Sequence, residues 1–197
     1  MRSSRAEIQA VERIETPLPG VVLIKPRVFE DDRGFFVETY NRRALAKVGI
    51  QADFVQDNHS GSGRGVLRGL HYQLGQPQAK LVRVTRGTVY DVAVDIRRGS
   101  PNFGSWTAAE LSDANKLMMF TPEGFAHGFL VLSESAEFHY KCSDFYAPDE
   151  ERGIAWNDTG IGIQWPLDGL EPVLSSRDQN WPTLDAASDA DLPAVTP

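Results

Sequence analysis

The sequence predicts an all-β sandwich or barrel. Three observations carry that expectation: strand alternation through the centre of the chain, turn signals at short regular intervals, and little helical periodicity. The alternation is clearest where Tyr90, Val92, Val94 and Ile96 share one parity and Val89, Asp91, Ala93 and Asp95 share the other. Turns at Gly87, Ser100-Pro-Asn-Phe-Gly104, Pro122-Glu-Gly124 and Ser133-Glu-Ser135 punctuate the series.

Taken in order, residues 1–20 form an N-terminal extension whose polar start, Met1 to Ala10, is expected to fray. Val21 to Val28 is rich in β-branched residues, and Pro26 confines it to an edge strand or a strand end. Glu30 to Gly34 is a turn and Phe35 to Tyr40 resumes as a strand. Asn41 to Val48 is a short helix, opened by Asn41 as N-cap and closed by Gly49. Phe54 to His59 is extended. Gly61-Ser-Gly-Arg-Gly65 lacks the third glycine and following helix of a dinucleotide loop, so it reads as a mobile connection. Lys80 shares its parity with Val82 and Val84 and should point where they point, into an interior or a pocket. Phe125 to Leu132 and Ala136 to Cys142 are a further strand pair. The domain is expected over 21–184, and the Ala-, Asp-, Ser- and Pro-rich stretch 185–197 as a disordered tail.

Composition narrows the classes. A chain of 197 residues, 41% hydrophobic and 24% charged, has the make-up of one ordinary soluble domain. It has no apolar run of spanning length and no basic-then-apolar start, so neither a membrane span nor a signal peptide is expected, and the cytoplasm is the default compartment. The single Cys142 excludes a disulfide framework and a cysteine-rich metal site. A net charge of −7 argues against broad nucleic-acid binding, though a few arginines can still hold one pyrophosphate.

The chemistry is expected around Val66-Leu-Arg-Gly-Leu-His-Tyr-Gln73. Arg68 suits bidentate capture of phosphate, and His71 can take and return protons near neutral pH. The two have opposite parity, so a regular strand cannot aim both into one pocket; a bulge or sharp twist is predicted at Gly69. Of the other histidines, His127 stands out within Pro122-Glu-Gly-Phe-Ala-His-Gly128, while His59 and His139 read as ordinary strand histidines.

The Pro-x-Gly-x-x-His spacing at Pro122, Gly124 and His127 resembles the second motif of the cupin superfamily of small β-barrels. Metal-binding cupins carry His-x-His in the first motif; here that place reads His71-Tyr-Gln73, which points to a barrel without a catalytic metal. The resemblance becomes specific when the motifs are taken together. Phe29-x-Asp-x-Arg-Gly-x-Phe36, Gln56-Asp-Asn-His-Ser60, Leu67-Arg-Gly-Leu-His-Tyr-Gln73, Lys80-Leu-Val-Arg83, Asp91-Val-Ala-Val-Asp-Ile-Arg97 and Pro122-Glu-Gly-Phe-Ala-His-Gly-Phe129 follow in order. Tyr140-Lys141, Phe145-Tyr-x-Pro148, Trp156-Asn-Asp158 and Ile163-x-Trp-Pro166 complete them. This series, over about Val21 to Asp178, resembles the dTDP-4-dehydrorhamnose 3,5-epimerases.

The resemblance implies a double-stranded β-helix (cupin, jelly-roll) barrel with short peripheral helices. It implies epimerisation at C3 and C5 of a dTDP-4-keto-6-deoxyhexose through enolates, with no cofactor and no metal. Such chemistry needs a base on one face, an acid on the other and a positive charge at the ketone oxygen. By the same resemblance His71 is the base, Asp178 orients it, Lys80 faces the enolate and Tyr140 is the acid. Arg33 and Arg68 match pyrophosphate contacts with His127 close by; Glu38, Gln56 and Asn58 match nucleotide or sugar contacts; Phe29 and Phe36 match a thymine sandwich, and Tyr146 a second pocket tyrosine. A homodimer with exchange of the N-terminal strand region is implied, so Arg33 serves the neighbouring subunit. The alternatives are a single-centre epimerase on a modified keto-sugar, a metal-dependent cupin oxygenase and a non-catalytic sugar-nucleotide binder.

Overall fold

A computed structural model describes residues 11–195. Two antiparallel sheets face each other. One holds β1 (Val11–Glu15), β2 (Val22–Pro26), β10 (Met118–Thr121), β7 (Lys80–Arg86), β12 (Ser135–Cys142) and β5 (Gln56–Gly63), in that order. The other holds β13 (Glu151–Gly153), β6 (Leu67–Gln73), β11 (Phe125–Val131), β8 (Thr88–Asp95) and β9 (Trp106–Ser112). A separate hairpin pairs β3 (Val28–Asp31) with β4 (Gly34–Val37). The architecture is the cupin-type jelly roll that the motif series implied.

Alternation sets the layers. Val82, Val84, Met119 and Phe138 of the six-stranded sheet meet Val89, Ala93, Leu111, Phe129 and Val131 of the five-stranded sheet in an apolar interior. Both outer faces are covered as well. α1 (Arg42–Lys47) and the residues after it lay Leu45, Val48 and Ile50 over Val22, Ile24, Leu81 and Met118. The C-terminal segment lays Ile161, Leu184 and Leu192 over Val92, Val94 and Ile96. Strand β8 is therefore buried on both sides, beyond what its alternation alone required.

Local expectations meet mixed outcomes. Asn41 caps α1, its side chain accepting from the amides of Arg43 and Ala44, and Gly49 ends the helix at φ +87°. β2 ends at Pro26, as the missing amide requires. Of the expected extension 1–20, Val11 to Glu15 form β1, which pairs residue for residue with β2; Met1 to Ala10 lie outside the described residues. The loop expected from Gly61 to Gly65 is strand through Gly63, since backbone pairing to β12 needs no side chain. The expected disorder from residue 185 does not hold to Val195. Leu192 is buried, and Arg98 exchanges backbone hydrogen bonds with Pro193 and Val195. Leu192 and Ala187 pack with Leu184 just before the segment, and Tyr72 and Arg152 hydrogen-bond to Asp191, so a stretch of polar average composition is docked.

Candidate active site

One end of the inter-sheet space is polar, and a cavity of about 670 Å³ opens there. β6 brings Arg68 and His71 to it, β7 brings Lys80, β11 brings His127, β12 brings Tyr140 and β5 brings Gln56 and Asn58. The parity conflict between Arg68 and His71 is resolved at Gly69. His71 lies opposite His127 and Arg68 opposite Phe129, so three steps on β6 match two on β11. Gly69 has φ +129°, and a Cβ on it would meet the Gly128 Cα at 2.6 Å. The resulting bulge turns the arginine and the imidazole into the same space.

His71 Nε2 and Asp178 Oδ1 are 2.5 Å apart. Asp178 comes from a loop rather than a strand, and that loop is pinned at its start and braced internally. Val173 hydrogen-bonds with Gly65 and Leu67, and the Ser175 hydroxyl donates to Asp178 Oδ2 at 2.8 Å while accepting from its amide. Burial opposes ionisation of Asp178, but His71 and Ser175 outweigh it and hold the carboxyl below its ordinary range. Trp181 stands edge-on to His71, with centroids 6.3 Å apart. Its Nε1 is buried with no partner in hydrogen-bond geometry, and it adds a weaker pull on the same carboxylate. With Nε2 engaged by Asp178, the other ring nitrogen of His71 is the free one.

A second imidazole–carboxylate pair lies alongside. His127 Nε2 sits 3.0 and 3.1 Å from the two oxygens of Asp91, which is wholly buried. Burial raises the Asp91 carboxyl, against the opposing pull of His127 and Lys80. Lys80 lies deep in the cavity, where dehydration lowers its ammonium pKa and Cys142 and Asp91 oppose the shift. Asp91 is the counter-charge that matters, because burial keeps the Cys142 thiol protonated. The Tyr140 phenol is pushed up, chiefly by burial, and keeps its proton through the neutral range.

Four expected site residues lie elsewhere in the single chain. Phe29, Arg33 and Phe36 sit on the exposed β3–β4 hairpin and Glu38 just after it; none lines the cavity. The Arg33 side chain is 90% exposed and pairs with Asp31 at 2.5 Å. Residues that the sequence reading passed over line the mouth instead. Arg177 pairs with Glu151, and the Tyr146 hydroxyl donates to the same Glu151 carboxylate at 3.1 Å. Gln73, standing where a metal-binding cupin has its second histidine, is occupied as a clamp. Its amide donates to the carbonyls of Gln76 and Phe145 and accepts from the Ala147 amide.

The profile of the family described as dTDP-4-dehydrorhamnose 3,5-epimerase matches residues 15–186. The chain belongs to that family. A dTDP-4-dehydrorhamnose 3,5-epimerase of Pseudomonas aeruginosa is 60% identical over 163 residues, 82% of this chain and 90% of its relative. The crystal structure of a dTDP-6-deoxy-D-glucose-3,5-epimerase from Legionella pneumophila, in complex with dTDP-4-keto-L-rhamnose, superposes with a TM-score of 0.91. It is 46% identical and the match covers 95% of this chain and all of that one. A 3'-monoepimerase from Streptomyces bikiniensis, in complex with dTDP-quinovose, shares the fold at a TM-score of 0.85. It is 35% identical, with 92% of each chain covered.

Proposed function

We propose that this chain is a cofactor-independent isomerase that inverts C3 and C5 of dTDP-4-dehydro-6-deoxy-D-glucose to give dTDP-4-dehydro-L-rhamnose. The observation that carries the reading is the convergence of the His71–Asp178 pair, Lys80 and Tyr140 on one cavity. C3 and C5 both flank the C4 ketone, so loss of a proton from either gives an enolate. His71 takes that proton on its free nitrogen, and Asp178 stabilises the imidazolium. The electron pair moves to the ketone oxygen, where the poorly hydrated Lys80 ammonium meets the developing charge. Tyr140 returns a proton to carbon from the opposite face, and exchange with solvent resets acid and base.

Arg68 and Arg177 at the cavity supply positive charge for the pyrophosphate. Gln56, Asn58, His127 and Tyr146 contact the remainder of the substrate. Phe29, Arg33, Phe36 and Glu38 reach a site in a homodimer, where exchange of the N-terminal hairpin delivers them to the neighbouring subunit. The exposure of three aromatic rings on that hairpin, Phe29, Phe35 and Phe36, supports the exchange.

The test is NMR of dTDP-4-keto-6-deoxyglucose with the protein in deuterated water. Deuterium at both carbons, with loss of exchange at both in His71→Ala, is expected. Incorporation at one carbon alone indicates a single-centre epimerase, and undiminished exchange in His71→Ala removes His71 from the role. Mixing inactive His71→Ala and Arg33→Ala proteins tests the exchange: a dimer with crossed hairpins recovers one working site in two.

A further inference from the structure

On the outer face of the six-stranded sheet, away from the cavity, His59 of β5 lies directly opposite His139 of β12. Their rings stack with centroids 3.9 Å apart. Glu137 precedes His139 by two residues and so shares its face, with its carboxylate 3.5 Å from His59 Nε2. One nitrogen from each imidazole and one oxygen of Glu137 all lie within 4.8 Å of one another. We propose that His59, Glu137 and His139 form a binding site for a borderline divalent transition ion, Zn²⁺ in the first instance, that clips the edge strand β5 to β12.

The donor set fits that class. Two imidazoles and a carboxylate suit Zn²⁺, Ni²⁺ and Cu²⁺, whereas Mg²⁺ and Ca²⁺ require mostly oxygen. In a tetrahedral site with bonds of about 2.0–2.1 Å, ligand atoms stand roughly 3.3–3.5 Å apart, and water takes the fourth position. A metal lies in the plane of each imidazole that binds it, so the two stacked rings must turn out of their stack to bind one; all three side chains are partly solvated, which leaves room for that rotation, and the two strands already fix their backbones in register. The local charge permits moderate binding. Arg83, in register with His139 on the other side, disfavours a dication, but Glu137 and Asp57 oppose it. Lys141 is engaged by Asp57 at 2.7 Å.

The consequence lies on the other face. β5 is the last strand of its sheet, and its alternate residues Gln56 and Asn58 form part of the cavity wall. A clip between His59 and His139 stiffens that wall without touching substrate.

The experiment is calorimetric titration of the chelator-treated protein with Zn²⁺, with thermal melting in parallel and Co²⁺ absorption as a report of coordination. One ion per chain, a raised melting temperature and a Co²⁺ spectrum of four-coordinate type are expected. His59→Gln with His139→Gln should abolish all three signals, while His71→Asn should retain them. If that double variant does not fold, Glu137→Gln carries the test, with a loss of Zn²⁺ affinity expected because a neutral amide is a poorer ligand than a carboxylate. No uptake by the native protein, or uptake unchanged in these outer-face variants, overturns the proposal.

Discussion

Two histidine–carboxylate pairs, with their histidines on neighbouring strands, differ most in their access to solvent. His71 and His127 are opposite one another in the β6–β11 register. The His71 side chain is 29% exposed and its partner Asp178 is 4% exposed; His127 is 7% exposed and Asp91 not at all. The first pair joins a strand to a loop and keeps one imidazole nitrogen open to the cavity. The second joins two adjacent strands, β8 and β11, and adds Lys80 as a third charge. On the proposed reading, identical functional groups serve as a proton carrier in one place and chiefly as a fixed electrostatic support in the other. Burial decides which, because a proton can be traded only where it can leave.

Substitutions on either side sharpen the contrast. The largest effect is expected for His71→Ala, which should lower kcat by about 10²–10⁴-fold, the usual contribution of a positioned base, with little change in melting temperature. Steady-state kinetics beside a melting curve check this; a large loss of stability instead would make His71 a structural residue. Asp91→Ala should show the reverse order of effects. Removing one member of a buried charge cluster costs roughly 3–5 kcal/mol, read by denaturant unfolding. Activity should fall chiefly through the folded fraction and through the unpaired Lys80.

The loop-borne pair also predicts a dependence on pH. Asp178 has its carboxyl lowered in the folded state from an ordinary value of 3.8. Its contribution to stability is therefore complete above that value and is lost as pH falls through the lower, folded one. Native protein should exceed Asp178→Asn in stability at neutral pH, and the gap should shrink only below about pH 4. Urea unfolding over a pH series measures it, and a gap that already closes between neutrality and that point contradicts the assignment. The smallest effect is expected for Gly153→Ala. Its Cβ would meet the Trp181 ring at 2.5 Å, displacing the indole beside His71. Overpacking of that kind costs about 1–3 kcal/mol. The accompanying change should fall on kcat rather than KM, since Trp181 backs the base and does not line the cavity.

Legibility in the sequence followed the same division. Lys80 and Tyr140 were readable from parity, because strand alternation dictates facing and both share it with core residues, Val82 and Phe138. His71 and Arg68 were readable as a pair once a bulge at Gly69 was allowed. Asp178 was reachable only through the motif series, and Glu151 and Arg177 not at all. They lie on short or irregular segments where a charged residue is the commonest thing to find, so no pattern marks them. The structure alone connects them to the site, through the hydrogen bond that Tyr146, a residue assigned to the pocket, donates to Glu151. The hairpin residues Phe29, Arg33, Phe36 and Glu38 illustrate a different limit. Motif order says that they belong to a site, but not that one chain must contain the whole of it.

The contact between Gly69 and Gly128 carries a consequence for how such a cavity can diversify. A Cβ on the first would strike the second at 2.6 Å, and a Cβ on the second would strike the Arg68 carbonyl at 2.7 Å. Neither position can gain even a methyl group while the other strand stays in place, and substituting both makes the collision worse. The floor between His71 and Arg68 is therefore closed to change in single steps. New substrate preferences must be written at the rim, in β5, in the β13 turn and in the loop before Asp178, where side chains rather than backbones meet the ligand.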